Sequence, residues 1–348
     1  MIALLRVTAL LLLALAMLPL LRRQSAALRA WLLITALGWA AIIPLLQFVA
    51  PSWGTPFDLP SPLADGASWN TLLLIWAAGA AVHLAVLAAG MLRLIAIAIA
   101  ADPIREGVCA DLALDIAAEY RVHAPVLLLE ANRPTLPVTW GHWVPKVLLP
   151  PASRDWTPER ALIVLRHEIA HIRRRDWLIQ LFARIIRSVY WFHPLVWIVC
   201  AQLRLACECA CDDAVLRGGV DGSRYAEHLL DLARAFVQTR GPAQAAALAR
   251  RSTLEYRVRA MLARGHDRSQ LHRASVVALA TVMLTAAVAT AGYGASANEP
   301  RSVASATPPR RLTLLLDGRI MDLSKEWPTY PDPRAGIVEG ARFADAMR

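Results

Sequence analysis

The sequence predicts an α-helical membrane protein that carries an inserted α+β domain. Hydrophobic residues make up 57% of its 348 residues and charged residues only 18%, which is more apolar than a soluble domain requires. Several apolar runs are long enough to cross the hydrocarbon core of a bilayer, for which a helix needs about 20 residues. Between these runs, residues 102–273 have the mixed charged and apolar pattern of a domain outside the membrane.

Four transmembrane helices are predicted, three of them in residues 1–101 and the fourth at 274–293. The first three correspond to the apolar segments Ile2 to Leu21, Ala30 to Ala50 and Thr71 to Leu92. Residues 294–348 are rich in proline and polar side chains, so we expect a short and poorly ordered tail there.

Arginine residues predict the orientation of these helices. The formal net charge is +10, and loops enriched in Lys and Arg stay in the cytoplasm. The loop with Arg22, Arg23 and Arg29 is therefore expected in the cytoplasm, and the loop with Asp58 and Asp65 outside. This predicts a multi-pass protein of the cytoplasmic (inner) membrane, in contact with membrane lipid, with a cytoplasmic inserted domain and both termini extracytoplasmic. Direct nucleic-acid binding is not expected, because no recognised DNA-reading motif accompanies the charge.

The inserted domain is predicted to begin with a helix and to continue into a small sheet. Asp102-Pro103 has the residue types of a helix cap and first turn. Ala124 to Glu130 and Lys146 to Leu149 have the composition of short strands bounded by prolines. The sheet edge could hold an extended substrate by strand addition or be ordinary packing surface, and the sequence does not separate the two. Residues 177–203 are apolar with charged interruptions, which predicts two helices in or against the membrane surface.

Two histidines one helical turn apart are the most distinctive feature of the inserted domain. The run Arg166-His167-Glu168-Ile169-Ala170-His171 puts His167 and His171 on one helix face, so both imidazoles can reach one metal ion, with Glu168 at its edge. The preceding Thr-Pro pair (157–158) suits a helix N-cap and first position. The pattern is typical of zinc hydrolases with one Zn²⁺. The alternative is a solvated, charged helix whose histidines are incidental.

A second helix is predicted to complete this site. Glu208 and Asp212 are again one helical turn apart, on a helix that Gly218-Gly219 should end. Glu208 is the best-placed third zinc ligand in the chain, since catalytic zinc sites use three protein ligands and keep one open position. Asp212 faces the same way and could accept the free N–H of a ligating imidazole. The alternative is an exposed acidic helix face.

Other side chains near this helix carry weaker signals. Cys207, Cys209 and Cys211 alternate along the helix, so the three thiols cannot converge on one metal, and we expect buried or free thiols. Tyr225 and His228 lie on the next amphipathic segment. Either is a candidate to stabilise the transition state by polarising a substrate carbonyl, and their spacing does not choose between them.

The chain resembles the BlaR/MecR antirepressor family of membrane zinc peptidases. The matching runs cover most of residues 102–216, and they are Pro137-Val-Thr-Trp-Gly141, Pro145-Lys-Val-Leu-Leu-Pro150, Leu165-Arg-His-Glu-Ile-Ala-His-Ile-Arg-Arg-Arg-Asp176, Trp191-Phe-His-Pro-Leu-Val-Trp197 and Glu208-Cys-Ala-Cys-Asp-Asp-Ala-Val-Leu216. The order of the predicted spans also matches that of the family.

The resemblance implies a fold and a set of roles. The inserted domain is expected to be a zincin-like (gluzincin) metallopeptidase domain. His167, His171 and Glu208 are implied as zinc ligands, Glu168 as the catalytic carboxylate and Asp212 as a supporting residue. The implied substrate is a protein.

The chain departs from the family members that sense β-lactams. Those members carry an extracellular penicillin-binding domain that is acylated at the serine of a Ser-x-x-Lys motif. The only lysines here are Lys146 and Lys325, and the residues three positions earlier are Trp143 and Asp322. The sequence therefore contains no such motif, and direct β-lactam sensing is not expected.

The sequence thus predicts an integral-membrane zinc metalloendopeptidase of signal transduction that cleaves a cytoplasmic transcriptional repressor, itself, or both. Arg250-Arg251 is a conceivable self-cleavage segment, because it lies between the inserted domain and the fourth predicted span. Two alternatives stay open. One is a constitutive quality-control peptidase of the gluzincin type, and the other is a non-catalytic signalling scaffold. The sequence indicates neither the stimulus nor the oligomeric state.

Overall fold

The chain divides into two compact units, Met1–Ala297 and Asn298–Arg348. The computed structural model describes residues 2–49, 66–133, 135–240, 245–263, 267–269, 273–292, 313–316 and 319–322. The predicted loop with Asp58 and Asp65 lies outside the described residues, as does most of the predicted tail.

The first unit consists mainly of helices. In chain order they are α1 (Ile2–Met17), α2 (Ala26–Val49), α3 (Gly66–Ala100), α4 (Val108–Glu119), α5 (Pro158–Arg174), α6 (Asp176–Val189), α7 (Pro194–Arg217), α8 (Gly222–Arg240), α9 (Ala245–Leu262) and α10 (Arg273–Gly292). A short 3-10 helix, Pro151–Asp155, precedes α5.

A small mixed sheet lies between α3 and α5 in the chain. Its strands are β1 (Asp102–Pro103), β2 (Leu127–Glu130), β3 (Val138–Trp140) and β4 (Lys146–Leu149), in the spatial order β1-β2-β4-β3. The central pair β2 and β4 is parallel, and β1 and β3 are antiparallel edge strands. The strand predicted at Lys146 to Leu149 is confirmed. Strand β2 occupies the second half of the segment Ala124 to Glu130 that was predicted as a strand.

The expectation of a helix opening at Asp102-Pro103 is wrong. These two residues pair with Glu130 and Leu129 as the edge strand β1, where proline is tolerated because its missing N–H is not needed by a neighbour. The helix begins only at Val108, after Gly107 with a φ of 94°. The edge strand β3 was not predicted, because three residues are too short for a periodic pattern.

Helix α5 packs between the sheet and α7, and its apolar face fills the core of the inserted domain. Residues buried in this core come from α4, the sheet, α5 and α7, and they include Ile116, Leu128, Val147, Leu149, Leu165, Ile169 and Cys211. Burying each large aliphatic side chain contributes about 1.5–3 kcal/mol. Packing of this core therefore fixes the orientation of α5, and with it the direction in which His167 and His171 face α7.

Three described helices are long and apolar enough to cross a membrane, namely Ala26–Leu45, Asn70–Ala100 and Pro194–Arg217. Helices α1 and α10, both predicted as spans, contain shorter apolar stretches at Ala3–Met17 and Ala274–Ala287. Helix α2 is central among these helices, since it contacts α1, α6, α7 and α10. The number of spans and their orientation stay predictions.

The apolar region at 177–203 forms parts of two helices that meet at a sharp turn. Helix α6 ends at Val189, and α7 begins at Pro194 and continues without a break to Arg217. Helix α7 therefore combines an apolar half and an acidic half in one continuous helix. The sequence had predicted them as separate helices.

The turn between α6 and α7 is held by polar contacts to α1 and α2. The Tyr190 hydroxyl donates to the Ala40 carbonyl oxygen of α2 at 2.8 Å. Thr8 Oγ1 of α1 lies 3.0 Å from His193 Nε2. Both contacts occur well inside the apolar stretches of α1 and α2, so Tyr190 and His193 attach the turn to the middle of these helices.

Helix α3 docks on the same turn through tryptophan side chains. Trp76 Nε1 donates to the Val189 carbonyl oxygen at 2.9 Å, and Trp191 Nε1 donates back to the Trp76 carbonyl oxygen at 3.2 Å. The His83 ring stacks on the Trp191 ring with centroids 6.2 Å apart. A side chain at Gly79 would collide with the Trp191 ring, because a Cβ there would lie 2.3 Å from Trp191 Cε2.

We predict that Gly79→Ala loosens this docking. The Trp191 ring has to move away, which breaks its hydrogen bond to α3, and overpacking of this kind costs about 1–3 kcal/mol. Thermal unfolding of the purified protein in nanodiscs measures the effect. Gly90→Ala on the same helix is the matched control, because a Cβ at Gly90 meets nothing within 4 Å. Equal stability of the two variants would show that α3 is not held at this contact.

The second unit contains a two-stranded antiparallel ladder, formed by β5 (Thr313–Leu316) and β6 (Arg319–Asp322). Both strands lie within residues 294–348, where the sequence predicts a short tail.

Candidate metal centre

Helix α5 begins and ends where the residue types predict. The Thr157 side chain accepts a hydrogen bond from the Arg160 backbone N–H, and Pro158 occupies the first helical position. Arg175, at a φ of 58°, ends the helix in the left-handed conformation. Leu165 and Ile169 point into the core, which leaves the histidine face of α5 directed toward α7.

The structure brings His167, His171 and Glu208 together. His167 Nε2 lies 3.3 Å from His171 Nε2 and 3.6 Å from Glu208 Oε2, and His171 Nε2 lies 3.9 Å from Glu208 Oε1. Ligand atoms of a tetrahedral zinc ion are about 3.3 Å apart, since each lies about 2.0–2.2 Å from the metal. The two distances to Glu208 involve different oxygens of its carboxylate, and one ligand atom from each of the three residues lies within 4.8 Å of the other two. This is wider than the spacing around a bound zinc ion, and small side-chain rotations would close the difference.

Asp212 and Tyr225 hold the other nitrogen of His167. Asp212 Oδ1 lies 3.2 Å from His167 Nδ1, and the Tyr225 hydroxyl donates to the same oxygen at 2.6 Å. The Tyr225 hydroxyl oxygen is also 2.9 Å from His167 Nδ1. These contacts fix the orientation of the His167 ring and direct its Nε2 toward Glu208.

Asp176 holds the other nitrogen of His171, a role that was not predicted from the sequence. Its Oδ2 lies 2.9 Å from His171 Nδ1, and it accepts hydrogen bonds from Arg174 Nε at 3.2 Å and from Cys211 Sγ at 3.4 Å. Each imidazole thus has its own carboxylate partner, an arrangement that orients metal-ligating histidines in general. The sequence feature that could have indicated this role is the position of Asp176. It is the last residue of the run that begins at Leu165 and resembles the peptidase family.

Arg257 of α9 is the second residue that sequence reasoning missed. Its Nε and one terminal nitrogen donate to Asp212 at 2.8 and 2.7 Å, and its other terminal nitrogen lies 2.9 Å from Glu208 Oε2. One guanidinium group therefore joins both carboxylates of α7. The sequence offered no signal for it, because Arg257 is one of many arginines in a basic stretch.

Thr139 of the edge strand β3 contacts Glu168. Its hydroxyl donates to Glu168 Oε2 at 2.6 Å, and Glu168 is buried, with 7% of its surface exposed. Thr139 lies in the first of the runs that resemble the peptidase family, but its spacing suggested no role. The contact joins the carboxylate of Glu168 on α5 to the edge strand β3.

Tyr225 and His228 have different surroundings in the structure. Tyr225 is only 3% exposed, and its hydroxyl is engaged with Asp212, which favours a positioning role over direct contact with a substrate carbonyl. His228 is half-buried on α8. Within the described residues it has no hydrogen bond or ion pair to the three ligand candidates.

The thiols of α7 agree with the prediction. Cys207, Cys209 and Cys211 are buried and free. Only Cys211 approaches the histidines among the described residues, with Sγ 3.3 Å from His171 Nδ1. It shares that nitrogen with Asp176, and one ligand atom each of His171, Asp176 and Cys211 also lie within 4.8 Å of one another. Both groups use His171, so this thiol belongs to the surroundings of that histidine.

Several groups at the site have strongly displaced pKa values, among them His167, Arg257 and Tyr225. Burial lowers the pKa of His167, but hydrogen bonds to Asp212 and Glu208 outweigh burial and raise it to about 10. Burial also lowers the pKa of Arg257, while the charges of Asp212 and Glu208 raise it well above its usual value. Burial and the charge of Asp212 raise the pKa of the Tyr225 hydroxyl well above its usual value.

The charge of the site fits a divalent cation. Among the described residues in contact here, the carboxylates of Glu168, Asp176, Glu208 and Asp212 face only the guanidinium groups of Arg174 and Arg257. With neutral imidazoles this leaves an excess of negative charge that a divalent ion would balance. Buried charge is costly unless it is paired, so two imidazole nitrogens and a carboxylate oxygen within 4.8 Å of one another suit Zn²⁺ in both donor type and charge.

We predict that zinc binding releases about one proton and tightens as the pH rises. Without metal, His167 is protonated at neutral pH because its pKa is about 10, and a ligating imidazole must be neutral. The zinc dissociation constant should therefore fall about tenfold for each pH unit between about pH 6 and 8. Calorimetry in two buffers of different ionisation enthalpy measures the released proton. An affinity independent of pH in this range would mean that His167 is already neutral.

Comparison with known proteins identifies the family. The family described as BlaR1 peptidase M56 matches residues 58–261 of this chain, a stretch that contains every residue of the centre. The regulatory protein BlaR1 of Bacillus licheniformis is 35% identical over 99 residues. That alignment covers 28% of this chain and 16% of the BlaR1 protein, so the chain matches only a small part of that relative. The match over more than half of the chain shows that it belongs to the BlaR1 peptidase M56 family, a family of membrane metallopeptidases.

Proposed function

We propose that this chain is an integral-membrane zinc metalloendopeptidase of signal transduction, and that it cleaves a cytoplasmic transcriptional repressor, itself, or both. The observation that carries this proposal is that ligand atoms of His167, His171 and Glu208 lie within 4.8 Å of one another, a donor set that suits one zinc ion, with Glu168 next to His167 in the chain. Membership of the peptidase family supports the reaction class.

The site residues divide into ligands, a base and supports. His167, His171 and Glu208 hold the metal, and Asp212 and Asp176 orient the two imidazoles. A zinc ion in this position supplies Lewis acidity, which lowers the pKa of water and polarises the scissile carbonyl.

Glu168 acts as the proton carrier. It takes a proton from the attacking water and delivers it to the leaving amine. Thr139 donates to one oxygen of this carboxylate, so the other oxygen is directed to the water. The peptide bond breaks as the amine receives the proton.

The edge strand β3 is the proposed substrate-binding element. Strand β3 pairs with β4 on one side, and its other side carries main-chain groups that can pair with an extended peptide. Val138 is 37% exposed on this strand, and the neighbouring Thr139 reaches Glu168. A peptide added to this edge would run alongside the metal, which suits a protein substrate in an extended conformation.

The proposed location is the cytoplasmic membrane, with the peptidase domain in the cytoplasm and both termini outside. The arginines at 22, 23 and 29 support this orientation. Several apolar side chains at the turn between α6 and α7 and in the first turn of α7 are exposed, among them Phe192, Trp197 and Ile198. Such side chains are suited to contact with membrane lipid.

Self-cleavage at Arg250-Arg251 would require a local change of structure. Both residues lie in helix α9, whereas strand addition needs an extended peptide. Unwinding of this part of α9 would have to precede cleavage.

The test uses the full chain, purified in nanodiscs with candidate repressors encoded near its gene. We expect about one zinc ion per chain, cleavage of one repressor, loss of cleavage with a chelator and recovery on addition of zinc. A chain that holds no zinc would support the signalling scaffold instead. A zinc-loaded chain that spares every repressor but degrades misfolded membrane proteins would support the quality-control peptidase.

A further inference from the structure

Two neighbouring residues of helix α9 make contacts in different directions. Arg257 contacts the metal centre, and the preceding residue, Tyr256, contacts helix α2. Arg257 faces α7 and joins Glu208 to Asp212. The Tyr256 hydroxyl accepts a hydrogen bond from an Arg29 terminal nitrogen at 2.7 Å. Successive helix residues point about 100° apart. One turn of α9 can therefore contact the metal centre on one side and helix α2 on another.

Arg257 is placed to position Glu208. Two of its guanidinium nitrogens form a bidentate contact with Asp212. Because the guanidinium group is planar and rigid, this contact fixes the position of the third nitrogen. That nitrogen contacts Glu208 Oε2, which holds the carboxylate with Oε1 toward His171. Lysine could not reproduce these contacts, because its ammonium group cannot form the planar fork of arginine.

The beginning of α2 is part of the same assembly. Arg29 is only 7% exposed, so its charge is held inside the protein. Ala26, one turn earlier, packs against Cys209 and Ala210 of α7, directly after Glu208. The first turn of α2 therefore contacts α7 beside the proposed ligand and α9 beside the arginine that positions it.

We propose that Arg257 is a positioning residue for the metal centre, and that the Arg29–Tyr256 hydrogen bond makes zinc affinity depend on the placement of α2. The inference rests on the proposed function, since it concerns regulation of the same site. When α2 is seated, Tyr256 holds α9 and Arg257 holds Glu208. When α2 moves away, α9 loses this anchor and the ligand geometry loosens. A helix within the apolar part of the chain thereby sets the state of the peptidase site.

The test measures zinc dissociation constants by chelator competition on the full chain in nanodiscs. Tyr256→Phe removes only the hydroxyl, and we expect it to weaken zinc binding about three- to tenfold. Arg257→Lys keeps the positive charge but cannot contact Asp212 and Glu208 at the same time as the planar guanidinium group does. We expect it to weaken zinc binding about 10–100-fold. Arg29→Met combined with Tyr256→Phe should weaken binding no more than the stronger single variant, because both remove one contact.

Arg259→Gln is the matched control. Arg259 lies on the solvent side of α9 in an exposed ion pair with Glu255, so its loss changes the charge of the helix without touching the site. Thermal unfolding of the metal-free variants checks that they fold.

Each result has one meaning. Wild-type affinity in Tyr256→Phe overturns the inference whether or not Arg29→Met folds. When Arg29→Met folds, additive effects of the Arg29 and Tyr256 changes overturn it as well. A wild-type chain without zinc overturns the proposed function itself.

Discussion

Glu168→Gln is expected to abolish peptide cleavage while zinc stays bound. Glutamine keeps the shape of the side chain and can still accept the hydrogen bond from Thr139, but it cannot take a proton from water. Loss of a general base lowers the rate about 10²–10⁴-fold. Because Glu168 is not among the three ligand candidates, the zinc content should stay at the wild-type level.

Cleavage of a repressor or of the chain itself, followed by mass spectrometry, measures this effect beside metal analysis of the same sample. Glu159→Gln is the matched control, because Glu159 lies in the first turn of the same helix in an exposed ion pair with Arg224. Full activity of Glu168→Gln would exclude the proton-transfer role. Loss of zinc together with activity would show that Glu168 supports the metal instead.

Glu208→Ala is expected to cause the largest loss of zinc affinity. It removes the only carboxylate among the three ligand candidates in the described residues, and the effect should exceed the roughly 100-fold that loss of a supporting contact causes. Arg257 keeps its two-pronged contact with Asp212 in this variant. The fold around the site should therefore persist, so weak zinc binding would report the missing ligand.

Equilibrium competition with a chelator gives the dissociation constant, and cleavage should fall in parallel at limiting zinc. Glu227→Gln, at an exposed position of α8, controls for the loss of a carboxylate. Zinc affinity close to wild type in Glu208→Ala would mean that Glu208 serves only as the ion-pair partner of Arg257. The peptidase assignment of this centre would then need a different third ligand.

Local sequence signals predicted the helices of the site well. The Thr157 cap and the apolar positions Leu165 and Ile169 predicted α5, and its observed first residue agrees. The same periodicity selected His167 and His171 as neighbours, because residues four apart in a helix share a face. These are interactions between residues close in the chain, which a sequence shows directly.

Edges and junctions were predicted less well. Asp102-Pro103 has helix-opening residues, yet strand pairing with β2 determines its conformation. The apolar and acidic halves of α7 have different compositions, yet they form one continuous helix. In both places contacts with distant segments outweighed local preference.

The sequence by itself determined the chemistry available to this protein: two imidazoles on one helix face with a glutamate at its edge, two carboxylates on a second helix, and apolar helices around them. Only the tertiary structure decided how these groups meet, bringing Glu208 to the histidines and supplying Asp176, Thr139 and Arg257 as their partners. The physical reason is that a turn of helix is specified by neighbours in the chain, whereas the pairing of buried charges is settled by the packing of whole helices against one core.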